Sequence, residues 1–272
     1  VDDVAPATGP ARLSDRLFHY GLAATGPIVV AGTNFVLSFS MLRLEAPAAF
    51  GTFSFLFAAA TFLIAVASAL FAGPMQALFL SDPKVTGAVV SAASVTALIL
   101  GPAYAVLALA FGLTPLAAIC SGAFSMFTIW RSVGRAWSYA SRHPSRVTVA
   151  DASYGAVTLA VFAAAFGWFG AAAMEAIFLA LCIGTAVATG CLGRGYLSLI
   201  ARPRSDDLRA YRSVWHGQSR WSLLGVAANE AAANAHIYLL ALLAGTGAVA
   251  PVAASALLMR PANVMQNALA DL

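Results

Sequence analysis

The sequence predicts an all-α polytopic membrane protein with about eight transmembrane helices. Three observations lead there. Of the 272 residues, 61% are hydrophobic and 10% are charged, where soluble domains average roughly 45–50% apolar and about 25% charged residues. Apolar segments recur at lengths near the roughly 20 residues that cross a hydrocarbon core as a helix. Lys and Arg gather in every second connection between those segments. A mean hydropathy of +0.83 agrees, and this composition excludes cytosolic enzymes, disulfide-stapled secreted domains and disordered tails.

Taken in order, residues 1–18 are polar, acidic and Pro-containing, without the basic-then-apolar order of a cleavable signal. The predicted spans are 20–42, 48–72, 86–110, 114–138, 152–169, 172–197, 217–243 and 247–269. The first holds Asn34 and ends at Arg43; Pro47 opens the second, where its missing donor is not needed. Lys84, the single lysine, precedes the third. Arg131 and Arg135 lie one turn apart on the inner half of the fourth, and Arg142 and Arg146 follow it. Bare turns at Gly112, Gly170 and Gly245 alternate with these basic connections, the last of which runs from Arg194 to Arg220. A chain that starts at Val1 and ends on Asp271-Leu272 inside a helical pattern is expected to be a piece of a longer reading frame.

Leaving out Arg260 inside the last segment, thirteen basic residues fall on one side and Arg43 alone on the other. The positive-inside rule then places both termini in the cytoplasm. Trp137, Tyr139, Tyr196, Trp215 and Trp221 fit the cytoplasmic interface and Trp168 the outer one. Residues 201–213 are the one long charged stretch. We read 1–200 as a six-helix lobe, 201–213 as a cytoplasmic linker and 214–272 as the incomplete start of a second lobe. A faint echo supports the division: Asn34, Leu44 and Pro47–Gly51 correspond to Asn234, Leu243 and Thr246–Ala250 at an offset of 199–200 residues. Transporters are often built from such repeats, with the substrate between them.

Chemistry-bearing motifs are missing. There is no phosphate loop, no D-x-D pair, no H-E-x-x-H, no Cys-x-x-Cys and no G-x-S-x-G elbow. Cys120, Cys182 and Cys191 sit in apolar stretches as small core residues, and the four histidines are too scattered for a metal cluster. No catalytic residue, cofactor, metal or nucleic-acid partner is therefore expected, and a transporter is favoured over an enzyme. Polar groups inside spans face a bundle interior or an aqueous cavity. The seventh span is richest: Asn229, Glu230, Asn234 and His236 fall within an arc of about 160° at roughly 100° per residue. That arc either lines a cavity or makes interhelical hydrogen bonds. Glu230 either exchanges a proton, coupling transport to a gradient, or holds a static bond to Asn234. Arg131 and Arg135 either present a basic face or snorkel to the headgroups. Arg260, beside Pro261, either snorkels or meets an anion as a further cavity cation. The candidate cavity residues are thus Asn34, Arg131, Arg135, Asn229, Glu230, Asn234, His236 and Arg260. Arginines with few carboxylates favour an anionic or lipid-phosphate substrate.

The run Gly32 to Arg43, followed by Leu44-Glu45-Ala46-Pro47-Ala48-Ala49-Phe50-Gly51-Thr52-Phe53-Ser54-Phe55, resembles the opening of bacterial polysaccharide-export flippases. These belong to the multidrug/oligosaccharidyl-lipid/polysaccharide exporter superfamily. Arg43, Pro47, Phe50 and Gly51 carry the match. The resemblance implies a multi-pass protein of the bacterial inner membrane that flips an undecaprenyl-diphosphate-linked oligosaccharide between leaflets for surface polysaccharide biosynthesis. Implied partners are that lipid-linked oligosaccharide, membrane lipid, and the glycosyltransferases and polymerase of the pathway. Alternatives are a drug/cation antiporter of the same superfamily, with Asp151 as its near-membrane carboxylate, and a membrane-embedded glycan transferase or polymerase.

Overall fold

The computed structural model describes the backbone of residues 13–78 and 83–270 and the side chains of 25–78 and 84–259. Among the described residues there are helices and no strands. They are α1 (Leu13–Leu44), α2 (Pro47–Ala67), α3 (Gly73–Leu78), α4 (Pro83–Ala110), α5 (Pro115–Ala140), α6 (Pro144–Gly167), α7 (Ala173–Gly190), α8 (Arg194–Ile200), α9 (Ser205–Val214), α10 (Arg220–Ala244) and α11 (Thr246–Ala270). Among the described residues, six stretches are long and apolar enough to cross a membrane: Thr25–Leu44, Pro47–Leu78, Lys84–Ala110, Pro115–Ala140, Pro144–Gly167 and Ala173–Gly190. The protein is an all-α membrane-embedded bundle.

Local chemistry explains the boundaries. Proline stands at the start of α2, α5 and α6, where its absent N–H would be an orphan in any case. Thr114 adds a side-chain cap, accepting from the Ala117 N–H at 3.4 Å. Gly112 and Gly245, at φ of +81° and +80°, turn the chain where a side chain would be strained.

Three segments differ from the sequence reading. The predicted sixth span, 172–197, is two helices, because the chain breaks at Gly193 with φ +104° and restarts as α8. The fifth begins at Pro144 rather than 152, which carries Asp151 inside the helix. Residues 201–213, read as a plain linker, contain the amphipathic helix α9. In addition, α10 does not pass the length-and-hydropathy measure that the six spans pass, and the described apolar part of α11 is Thr246–Met259. The polar residues of α10, Asn229, Glu230, Asn234 and His236, lower its hydropathy.

α4 packs on α5, α5 on α7, α7 on α6, and α6 on α1; α2 lies against α11 and α10. Phe50, Phe53, Leu56, Met75, Ile177 and Phe178 form the buried centre. Two π-helical turns, Ser68–Ala72 and Trp215–Ser219, touch one another. The Leu70 carbonyl, in the first of them, accepts from the Tyr211 hydroxyl at 2.8 Å and the Ser219 hydroxyl at 2.9 Å. Burial pushes the Tyr211 phenol above its ordinary value. This contact pins α9 and the start of α10 to the end of α2.

At the opposite end of α2 the approach to α11 is close. A Cβ on Gly51 would lie 2.0 Å from the Thr246 carbonyl oxygen, and the Thr52 hydroxyl donates to the Thr246 hydroxyl at 3.0 Å. Gly51→Ala must push two helices apart, and is expected to cost about 1–3 kcal/mol. Gly32, whose Cβ would meet nothing within 4 Å, is the control: Gly32→Ala should leave stability unchanged or raise it by up to about 1 kcal/mol. Thermal unfolding midpoints in detergent check both.

Candidate functional site

Two polar arrangements lie within the bundle. The first is an ionic cluster between α1, α5 and α6. Asp151 has no exposed surface, and Arg131 Nη2 donates to its Oδ1 at 2.6 Å. Arg135 Nη1 reaches both carboxylate oxygens. The side chains of Arg131 and Arg135 are 10% and 26% exposed. Two guanidiniums against one carboxylate leave one net positive charge, and its more open edge is Arg135. The Arg131 Nε has no hydrogen-bond partner among the described residues. Its guanidinium lies 4.4 Å from the Tyr154 ring centroid, a cation–π contact. Gly26 of α1 covers Asp151 so closely that a Cβ there would sit 2.4 Å from Oδ2.

The second arrangement is a cavity of about 230 Å³ where α1 and α2 meet α10 and α11. Ser38, Ser54, Thr61 and Asn234 contribute its polar atoms, and Phe50, Phe53 and Phe57 its aromatic floor. Asn34 joins the two. Its side-chain oxygen accepts from the Tyr154 hydroxyl at 2.7 Å, and its backbone carbonyl accepts from Ser38 at 2.8 Å. A line of contacts therefore runs from Arg131 across the Tyr154 ring, through the Tyr154 hydroxyl to Asn34, and by the Ser38 bond within α1 to the cavity wall.

The residues singled out in the sequence are partly brought together. Arg131 and Arg135 both turn to Asp151, Arg131 largely buried and Arg135 with 26% of its side chain exposed. Asn34 sits beside them. Glu230 and Asn234 form a pair, with Asn234 Nδ2 donating to Glu230 Oε2 at 2.6 Å, and Asn234 reaches the cavity. Asn229 and His236, on the same predicted arc, are exposed and do not line it. α10 turns Asn234, Ile237 and Tyr238 toward α2 and the cavity. The side chain of Arg260 lies outside the described residues. Asp151 and Tyr154 were missed as parts of this cluster. The signal for Asp151 was its distance from the α5–α6 turn: it stands about as far after Arg142 as Arg131 stands before it, so a helical hairpin brings them level.

No known protein family, no curated protein and no solved structure matches the chain. The chemistry of the site has to be read from its own residues. It can hold an anion at the Arg135 edge and offer hydroxyl, amide and aromatic surface to a neutral polar group in the cavity. It offers a cation little, since Asp151 is already taken by two guanidiniums.

Removing one member of a buried ionic group leaves the other charges uncompensated, at about 3–5 kcal/mol. Asp151→Asn should therefore lower the unfolding midpoint sharply. Arg135→Gln should cost clearly less, because Arg131 still neutralises Asp151 and the Arg135 side chain keeps contact with solvent. Equal losses in detergent melts would count against the ionic cluster as the organising contact.

Proposed function

We propose that this chain is a transporter that flips an undecaprenyl-diphosphate-linked oligosaccharide from the cytoplasmic to the periplasmic leaflet of the bacterial inner membrane. The reading adopts the resemblance of residues 32–55 to polysaccharide-export flippases. The observation that carries it is the line of contacts from the net-positive arginine cluster to the hydroxyl- and aromatic-lined cavity. Guanidiniums suit phosphate oxygens. Serine, threonine and amide groups over phenyl rings suit a sugar, whose hydroxyls hydrogen-bond while its C–H faces stack on aromatic rings. The lipid tail would stay in the bilayer.

In this reading α10 and α11 are the seventh and eighth spans, opening a second lobe after α9, and both termini are cytoplasmic. The contact between the starts of α2 and α11 then joins the two members of the internal echo across the lobe boundary. Glu230, beside the cavity, is the group that would exchange a proton during transport, and Asn234 holds its carboxylate. A transferase or polymerase would need a sizeable polar loop for its active site. The turns between α1 and α2, α4 and α5, α6 and α7, and α10 and α11 are a few residues each.

Purified protein in proteoliposomes should expose a fluorescent lipid-diphosphate oligosaccharide to an impermeant quencher faster than empty vesicles do. Ser54→Trp, which fills the cavity, should abolish the difference. A rate equal to empty vesicles sinks the flippase, and release of product from a labelled sugar donor would make the protein an enzyme instead. Glu230→Gln should remove any acceleration by an imposed proton gradient; an unchanged gradient response assigns Glu230 to a static bond. For topology, single cysteines introduced at Asp206 should react with impermeant reagent only in inside-out vesicles. Cysteines introduced at Gly170 should react only in right-side-out ones.

A further inference from the structure

A further cavity lies away from that line of contacts, where the N-terminal end of α4 meets α8 and α9. It measures about 600 Å³ and is lined by Lys84, Gly87 and Ser91 of α4, by Ser198, and by Arg202, Arg204, Asp206 and Asp207. That volume is in the range of small-molecule sites, about 300–1,000 Å³. Its walls are held in place. The Ser91 hydroxyl donates to Asp207 Oδ2 at 3.3 Å and accepts from the Arg204 backbone N–H at 3.4 Å. A Cβ on Gly87 would lie 3.1 Å from the Asp207 carboxylate. The Tyr211 bond to Leu70 fixes the far end of α9.

The charges in this pocket are not evenly engaged. Asp207 is turned to Ser91, and the Asp206 side chain is 90% exposed, 4.0 Å from Arg209. Among the described residues, neither Arg202 nor Arg204 forms an ion pair through its guanidinium. Arg202 and Arg204 thus line one pocket with planar donor forks that no carboxylate among the described residues pairs, while Asp206 and Asp207 in the first turn of α9 offset the positive end of that helix. The pocket lies at the N-terminal end of the apolar helix α4, beside the segment from Arg194 to Arg220, which carries six of the fifteen Lys and Arg residues.

We infer that this pocket binds a phosphate-bearing group, a phosphomonoester or diphosphate, held by Arg202 and Arg204. The source is either a lipid headgroup or a soluble phosphate compound. The inference does not depend on transport, so it stands or falls apart from the flippase reading.

The test uses the whole protein in phosphatidylcholine nanodiscs with two probes: inorganic pyrophosphate, followed by calorimetry, and phosphatidic acid doped into the disc, followed by native mass spectrometry. One saturable equivalent of at least one probe is expected. Arg202→Ala/Arg204→Ala should weaken it at least tenfold, and the exposed Arg212→Ala should not change it. Ala210→Trp, which fills the pocket, should also block binding and carries the test if the double variant melts. Saturation by pyrophosphate alone assigns a soluble ligand, and by phosphatidic acid alone a lipid. No saturable binding by the unmodified protein, or undiminished binding in the Arg202/Arg204 and Ala210 variants, overturns the inference.

Discussion

A carboxylate with no exposed surface, inside a membrane-embedded bundle, persists only where its charge is met. Asp151 is met twice, by Arg131 and Arg135, and much of the surrounding geometry follows from that requirement. The two arginines come from α5 and the carboxylate from α6, so the helical hairpin must close at one register. α1 must then pass with Gly26 over the carboxylate, since a side chain at that point would overlap it. Tyr154, one turn beyond Asp151, takes the flank of Arg131 and passes its hydroxyl to Asn34. Desolvation makes such a group expensive, and removing any one partner is more costly than never having placed it. A net-positive cluster of this kind therefore fixes three helices and leaves one cationic edge for an anion.

The other half of the bundle solves a different problem. The start of α2 touches the start of α11 so closely that Gly51 has no room for a side chain, and a hydroxyl pair, Thr52 with Thr246, ties the two together. Below this contact the helices diverge enough to leave a cavity between phenyl rings and hydroxyls. The π-helical turns at Ser68–Ala72 and Trp215–Ser219 frame the opposite end. There the Leu70 carbonyl accepts two hydrogen bonds from outside its own helix, and through them α9 is anchored to the bundle.

Much of the architecture was legible before any tertiary contact was known. Proline at the first helical position and glycine at the turns marked the ends of α2, α5 and α10 within a few residues, because these are local backbone effects. The break inside the predicted sixth span was not legible: an apolar run gives no sign that Gly193 adopts a positive φ. Nor was α9 legible, because its charged residues read equally as loop. Nor could the sequence say which polar residues of α10 reach the cavity: Asn234 does and bonds Glu230, while Asn229 and His236 are exposed, because the rotation of a helix about its axis is decided by the neighbours it packs against.

By itself the sequence determined that the chain is helical and membrane-embedded, since apolar length and hydrocarbon solvation require every backbone group to be paired within a helix. It also determined which few polar residues would have to be reconciled with that environment. Only the tertiary structure decided how: that Arg131 and Arg135 both turn to Asp151, that Asn34 links this cluster to the cavity, and that Arg202 and Arg204 share a pocket with α4. Each of these depends on which helix faces are brought opposite one another. Packing between segments far apart in the chain sets that choice, and no local pattern encodes it.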